Sequence, residues 1–228
     1  MYELMLDTAN LEDLQYGIKA WPVVGVTSNP SILKKEGDID IYERLQTIKN
    51  LCGTRRSLHV QVVSKTTDGI IEEAHHILSK LGSDVFIKIP VSKDGLPAIK
   101  ALAAEGVNIT ATAIYSALQG ILAILAGAKY IAVYYNRMEN NCTDPNMVIR
   151  EIRSFIDHSG SDSRILGASF KNVSQVMEAY TNGAQSVTVA PNIIHTGLNM
   201  ASINDAVNVF ANDFYEVHGE GQTMLTIG

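Results

Sequence analysis

The chain has 228 residues, of which 46% are hydrophobic and 18% charged, which allows a sizeable core and excludes an intrinsically disordered chain. A net charge of -6 argues against sequence-independent binding to nucleic acid, but a few local cations could still hold a small anion. The two cysteines, Cys52 and Cys142, are far apart and lack metal-ligand spacing, which is typical of a reduced, cytoplasmic protein.

No targeting or membrane-spanning segment is expected from the sequence. The first residues lack the basic region of a signal peptide, and Asp7 interrupts the first apolar run. The most apolar stretch, residues 117–128, contains Gln119 and is too short to span a bilayer. We therefore expect a cytoplasmic protein with no membrane partner.

Short apolar runs alternate with amphipathic stretches along the whole chain. The runs that predict strands are 3–6, 23–26, 58–63, 85–90, 107–112, 130–134, 164–168 and 186–189. The stretches that predict helices are 11–18, capped by Asn10, and then 41–48, 68–81, 96–104, 116–125, 147–156, 173–180, 193–198 and a last one through 203–210. Residues 27–31, with Pro30 as a stop, and 138–144 are predicted as loops.

Eight strand–helix units without a linker predict a (β/α)8 TIM barrel, because strict alternation implies parallel strands joined by right-handed crossovers. An open doubly wound sheet is the alternative, and the absence of a Gly-rich loop after the first strand disfavours it. We expect a single domain over residues 1–228, with an extra C-terminal helix and tail from about residue 201.

The fourth predicted strand, VFIKIP at 85–90, carries a lysine among apolar residues. Burial disfavours an ammonium group and lowers the pKa of the amine, and a neutral amine is a nucleophile toward carbonyls. Lys88 is therefore a candidate Schiff-base former. The alternative is a lysine whose amine reaches the strand end and pairs with an acid.

Polar side chains stand at or just beyond the carboxyl ends of the predicted strands, which meet at one mouth of a barrel. They are Asp7, Thr27, Asn29, Gln61, Lys88, Thr112, Tyr134, Arg137 and Ser169. Such a ring favours an active site over isolated polar residues.

The proposed roles of the acid–base candidates each have a structural alternative. Asp7 could accept a hydrogen bond from Lys88 or handle a proton, or it could cap the next helix. Gln61 needs a partner if buried, either a neighbour or a functional water. Thr112 and Tyr134 could position that water or carry a proton, whereas Tyr134 could also be simple packing.

Substrate contacts are expected from a second group of residues. Thr27 and Asn29 could bind hydroxyl groups or build the turn before Pro30. Arg137 could bind phosphate through its planar fork, helped by Ser169 and Lys171 after the seventh strand, a frequent phosphate position in barrels. Surface salt bridging is the alternative for the two cations.

No metal site is predicted. The histidines on predicted helices and late in the chain lack ligand spacing with a carboxylate or cysteine. They are His75, His76, His158, His195 and His218.

Four motifs resemble the small transaldolase family, and within it the fructose-6-phosphate aldolase branch. They are LDTAN at 6–10, GVTSNPS at 25–31, IKIP at 87–90 and ASFK at 168–171. The second and third are the most specific, and the resemblance covers nearly the whole chain in the same order. It implies a TIM barrel, a Schiff-base lysine aldolase acting on sugar phosphates and hydroxyketones without cofactor or metal, and a homo-oligomer, a ring-shaped decamer in which the C-terminal helix reaches onto a neighbour.

Residue by residue, the resemblance makes Lys88 the Schiff-base lysine and Asp7 the aspartate beside it. It makes substrate contacts of Thr27, Asn29 and Ser169, and phosphate contacts of Arg137, Ser169 and Lys171. True transaldolases have glutamate at the place of Gln61 and phenylalanine at that of Tyr134, so this chain resembles the aldolase branch. Cleavage of fructose 6-phosphate is the expected activity. Transfer of a dihydroxyacetone unit and a non-catalytic sugar-phosphate-binding barrel are the alternatives.

Overall fold

A computed structural model describes residues 2–227 of the chain. Eight parallel strands close into a barrel in chain order, with β1 pairing with both β2 and β8. The strands are β1 (Glu3–Asp7), β2 (Val23–Thr27), β3 (Ser57–Gln61), β4 (Phe86–Pro90), β5 (Ile109–Ile114), β6 (Tyr130–Tyr134), β7 (Arg164–Ala168) and β8 (Ser186–Val189). The prediction of a (β/α)8 barrel with an extra C-terminal helix is confirmed.

Helices follow the strands. They are α1 (Leu11–Ala20), α2 (Pro30–Leu33), α3 (Ile41–Cys52), α4 (Thr67–Leu81), α5 (Gly95–Ala104), α6 (Ala117–Leu125), α7 (Tyr135–Asn140), α8 (Pro145–Ser159), α9 (Val173–Thr181), α10 (Pro191–Leu198) and α11 (Ala201–His218). Asn10 caps α1 as expected, since its side chain accepts from the backbone N–H groups of Glu12 and Asp13, both at 3.1 Å.

Two segments predicted as loops contain helix. Pro30, interpreted as a stop, is instead the first residue of α2, where its missing N–H costs nothing, and Asn29 caps that helix. Residues 138–140 belong to α7. The third strand is shorter than predicted and ends at Gln61. The next N–H, that of Val62, still donates to the Lys88 carbonyl, but the Glu73 carboxylate accepts from the N–H groups of Val63 and Ser64 and so takes them from the sheet.

Charged and aromatic side chains close the amino-terminal end of the barrel. The Glu3 carboxylate accepts hydrogen bonds from Arg164 at 2.6 Å, from the Tyr130 hydroxyl at 2.9 Å and from Ser186 at 2.6 Å. All three bonds converge on one partly buried carboxylate, which gives it the hydrogen-bond partners that a buried polar group needs. The polar residues at the other end therefore surround the open mouth of a filled barrel.

His59 lies inside the barrel on β3 and is fully buried. Its Nδ1 is 2.8 Å from the Thr110 hydroxyl and its Nε2 is 2.8 Å from the Ser57 hydroxyl. The ring stacks on Phe86 with centroids 4.5 Å apart. Burial, helped by the charge of Lys88, lowers the pKa of His59 to about 3, so the imidazole is neutral.

Replacing His59 by phenylalanine is expected to weaken the loss of stability in acid. In the unfolded chain this histidine gains a proton near pH 6.5, whereas in the fold it does so only near pH 3, so stability falls as the pH drops through that window. The group contributes a slope of about 1.4 kcal/mol per pH unit there. Urea unfolding at several pH values tests this, with the exposed His76→Phe as control. Parallel slopes for wild type and His59→Phe would contradict it.

The chain divides into two compact units at Pro191. The first contains the barrel, and the second contains most of α10 together with α11. On α11 the apolar side chains of Ile203, Val207 and Phe210 are exposed. Within the part of the chain that the structure describes, no helix has both the length and the apolar character needed to cross a membrane. The single domain over residues 1–228 stays a prediction.

Candidate active site

Lys88 is the third of the five residues of β4 and only 4% of its surface is exposed. Its side chain points into the barrel mouth region, where Nζ donates to the backbone carbonyl oxygen of Ser28 at 2.9 Å. Burial lowers the pKa of the Lys88 amine, while the charge of nearby Asp7 opposes that shift. The Lys88 amine is thus shielded from solvent, and its hydrogen bond to the Ser28 carbonyl fixes its position.

A chain of hydroxyl groups holds Asp7 at the end of β1. The Thr27 hydroxyl donates to Asp7 Oδ1 at 2.7 Å and lies 2.6 Å from the hydroxyl of Thr188 on β8. Since Thr27 has a single hydroxyl proton, Thr188 must donate to it when Asp7 is ionised. Burial raises the pKa of Asp7, against the opposing effects of the Lys88 charge and the Thr27 hydrogen bond. Burial therefore brings the pKa values of Asp7 and Lys88 closer together.

Gln61 stands beside Lys88, because the two residues are partners in the register of β3 and β4. Its Oε1 atom is buried and has no hydrogen-bond partner among the described residues. A buried acceptor without a partner is costly, by about 1–3 kcal/mol, and needs an explanation. This orphan acceptor at the mouth is suited to a water or a ligand hydroxyl group.

Thr112 and Tyr134 face each other across β5 and β6. The Thr112 hydroxyl donates to the phenol oxygen of Tyr134 at 3.0 Å, and both side chains are buried. Because the Tyr134 oxygen accepts in this bond, its own proton is free for a further acceptor. Burial raises the pKa of Tyr134, opposed by the Thr112 hydrogen bond and the charge of Arg137. Tyr134 is therefore a protonated, oriented donor.

Arg137 covers Tyr134 from the first turn of α7. Its guanidinium carbon lies 4.7 Å from the centre of the Tyr134 ring, a cation–π contact. Its Nη1 also donates to the hydroxyl of Tyr115 at 3.4 Å. Arg137 is otherwise exposed, so its fork is open to an anion.

Three predicted residues are less closely joined to this group. The Asn29 side-chain oxygen caps α2 by accepting from Ile32 at 3.1 Å, a role that was not predicted for it. Ser169 directly follows β7 and has a left-handed φ of 64°, a conformation that costs a serine about 1–2 kcal/mol. Lys171 is exposed, and among residues 2–227 no contact joins its side chain to the other site residues.

Sequence reasoning missed four contributors to the site or its floor. Thr188 and His59 had an available signal, because Ser186–Val189 and Ser57–Gln61 both alternate polar and apolar residues. The Ser28 carbonyl is a backbone group, so no side-chain type points to it. Tyr115 was missed because the fifth strand was predicted to end at residue 112, whereas β5 ends at Ile114, directly before Tyr115.

Metal chemistry has no ready ligand set in the part of the chain that the structure describes. Among residues 2–227, no three or more His, Cys, Asp or Glu side chains are placed to hold an ion. The site is instead built from an amine, a carboxyl group, a phenol, an amide and hydroxyl groups.

The fold and the site define a class: closed parallel (β/α)8 barrels that present a buried lysine at the carboxyl-end mouth. The sequence matches the transaldolase/fructose-6-phosphate aldolase family over residues 4–225. It is 49% identical over 215 residues to a probable fructose-6-phosphate aldolase of Streptococcus pneumoniae (strain ATCC 700669 / Spain 23F-1), covering 94% of this chain and 97% of that protein. The chain therefore belongs to the transaldolase/fructose-6-phosphate aldolase family.

A solved structure titled "Native KDPGal structure" shares the fold. It superposes with a TM-score of 0.55, at 10% sequence identity, over 82% of this chain and 81% of its own. At that identity the likeness concerns the barrel alone.

Proposed function

We propose that this protein is a class I aldolase that cleaves and forms fructose 6-phosphate, with dihydroxyacetone and glyceraldehyde 3-phosphate as the two halves. The observation that carries this is the Lys88 amine, 4% exposed at the barrel mouth and directed by a backbone carbonyl 2.9 Å away. The relative from Streptococcus pneumoniae, named as such an aldolase, supports the same reaction.

The first step is attack by the neutral Lys88 amine on the C2 ketone. The carbinolamine loses water to give an iminium, which withdraws electrons from the C3–C4 bond. The Ser28 carbonyl, 2.9 Å from Nζ, supports this step by accepting one N–H of the amine and so holding the nitrogen in place. Asp7 has a raised pKa and Lys88 a lowered one, and both shifts reduce the cost of moving a proton between them.

In the second step, the C3–C4 bond breaks as the C4 hydroxyl loses its proton, and glyceraldehyde 3-phosphate leaves. The electron pair of that bond forms an enamine, which regains a proton at C3 before water releases dihydroxyacetone. We assign the proton transfers to Tyr134, with a water held by Thr112 and by the unpartnered Oε1 of Gln61.

The two ends of the ketose are held by different groups in this proposal. Arg137, Ser169 and Lys171 bind the phosphate, and Thr27 and Asn29 bind hydroxyl groups. Arg137 is the best supported, because its guanidinium is exposed over Tyr134 and its geometry suits an oxyanion. Holding the phosphate aligns the bond to be cleaved, and orientation of this kind can lower a barrier by several kcal/mol.

Gln61 and Tyr134 favour cleavage over transfer. An amide cannot act as the charged base that a carboxylate would provide, and a phenol supplies a proton donor that a phenylalanine would not. Both groups lie at the mouth beside Lys88 or Thr112. We therefore propose that the enamine is protonated and released, rather than kept for a second aldose.

The test is to supply fructose 6-phosphate with and without erythrose 4-phosphate. An aldolase produces glyceraldehyde 3-phosphate and free dihydroxyacetone without the aldose. A transaldolase needs the aldose and releases no dihydroxyacetone. Binding of the ketose without either product would support a non-catalytic sugar-phosphate-binding protein.

Asp7→Asn is expected to lower the pKa of Lys88 further, because the Asp7 charge raises that pKa in the wild type. The variant keeps an oxygen for the Thr27 hydroxyl. Iminium formation requires the neutral amine, so its rise with pH should begin at lower pH in the variant. The pH dependence of borohydride trapping with dihydroxyacetone measures this. A rise at unchanged or higher pH would contradict the coupling.

We further propose a cytoplasmic homo-oligomer, a decamer on the family resemblance. The exposed apolar side chains of Ile203, Val207 and Phe210 on α11 support association, since such a face is costly in water. Light scattering gives the number of subunits. Phe210→Asp is expected to reduce that number, and an unchanged mass would exclude α11 from the interface.

A further inference from the structure

Tyr115 is a site residue that the proposed mechanism does not use. It directly follows β5, and its hydroxyl oxygen accepts a hydrogen bond from Arg137 Nη1 at 3.4 Å. Its ring meets that of Tyr134 edge-on, with centroids 5.7 Å apart. Tyr115, Tyr134 and Arg137 thus form one cluster, which we call the anion cluster.

A defect in the strand directs Tyr115 toward this cluster. The pairing of β5 with β6 shifts register between Ala111 and Ile114, and Ala113 adopts a left-handed φ of 56°. Such bulges re-aim the side chains that follow, and an alanine in this conformation costs about 1–2 kcal/mol. The strain is retained at the barrel mouth, where the redirected residue is Tyr115.

Gln119 fixes the redirected backbone from the first turn of α6. Its Oε1 accepts from the Tyr115 backbone N–H at 3.0 Å, and its Nε2 donates to the carbonyls of Val91 at 3.0 Å and Ala113 at 3.4 Å. Gln119 therefore holds the backbone from Ala113 to Tyr115 in place before any ligand binds.

The hydrogen-bond directions leave Tyr115 with a donor to offer. In its contact with Arg137 the phenol oxygen accepts, so the phenol proton is free. The exposed guanidinium of Arg137 offers two parallel N–H donors, and the Tyr115 O–H beside it offers a third. Charge-assisted bonds of this kind are the strong ones, and an oxyanion with several acceptors matches them.

We propose that Tyr115 is a specificity residue for phosphorylated aldehydes. It holds the Arg137 guanidinium over Tyr134 and donates its own O–H to a phosphate oxygen. This inference deepens the proposed function, and the identity of the aldehyde rests on that function. Recognition of the phosphate ester is independent of the proposed reaction.

The kinetic test uses dihydroxyacetone with two acceptors that differ only in the phosphate, glyceraldehyde 3-phosphate and glyceraldehyde. Tyr115→Phe is expected to raise KM for the phosphorylated acceptor about tenfold, the effect of losing one hydrogen bond to a charged group. Its kcat should stay within about twofold, and KM for glyceraldehyde should not change. Tyr16→Phe, on the exposed side of α1, is the matched loss of one phenol hydroxyl and should alter neither KM.

A binding experiment tests the same role of Tyr115 without requiring turnover. Calorimetric titration with glycerol 3-phosphate should give a Kd about tenfold weaker for Tyr115→Phe than for wild type or Tyr16→Phe. Equal affinities, no binding to wild type, or an equal rise in KM for both acceptors would overturn the proposal. If wild type condenses neither acceptor but binding still distinguishes Tyr115→Phe, the proposed aldolase function fails and the role of Tyr115 stands.

Discussion

Lys88→Met is expected to lower the rate of fructose 6-phosphate cleavage by about 10⁴-fold or more, the scale of losing a covalent nucleophile. Methionine has a similar length and fills the same space without an amine, so the barrel packing should survive. The exposed Lys80→Met on α4 is the matched control and should keep wild-type activity. Steady-state assays coupled to glyceraldehyde 3-phosphate measure the loss.

The same variant should be as stable as the wild type or more stable at neutral pH. Burial lowers the pKa of Lys88, so the folded chain binds fewer protons here than the unfolded chain between that lowered pKa and the ordinary value of 10.5. The free energy of unfolding therefore falls as the pH drops through this window, and the loss remains at lower pH. Methionine removes it, as often happens where a site trades stability for activity. A thermal midpoint well below that of wild type, or activity retained in Lys88→Met, would contradict the role of the amine.

Tyr134→Phe is expected to lower fructose 6-phosphate cleavage by about 10²–10⁴-fold, the usual contribution of one acid–base group. The enamine intermediate would then last longer, because the phenol proton that quenches it is gone. Transfer of the three-carbon unit to erythrose 4-phosphate should therefore fall less than cleavage. The ratio of the two activities, measured side by side, is the decisive quantity.

A control is needed because Tyr134 also supports Arg137 through its ring, 4.7 Å from the guanidinium carbon. Phenylalanine keeps that ring, so KM for phosphorylated substrates should change little. Tyr16→Phe, on the exposed side of α1, should leave both activities unchanged. Equal loss of cleavage and transfer would remove Tyr134 from the step that separates them.

The barrel and most of its mouth were predictable because parallel barrels place strand ends together. That rule led from apolar runs to four residues near the strand ends. In the structure Asp7 and Gln61 are the last residues of their strands, and Lys88 and Thr112 lie two residues before the ends of theirs. Their chemical roles are a separate matter and stay predictions until the variants are assayed.

The remaining features depend on backbone geometry that residue types do not encode singly. Pro30 suits both a stop and a first helical turn, and the cap by Asn29 decides between them. The bulge at Ala113 contains no glycine, the residue that would indicate a left-handed φ, so the direction of the Tyr115 side chain could not be predicted. The acceptor for Lys88 is a main-chain carbonyl, which any residue at position 28 would supply.

Reduction with borohydride in the presence of dihydroxyacetone, followed by peptide mapping, tests the central claim most directly. The account predicts that one peptide, containing Lys88, gains the mass of one reduced three-carbon ketone, and that Lys80→Met gains the same label. A label on another lysine, or none in the wild-type enzyme, would show that Lys88 is not the nucleophile.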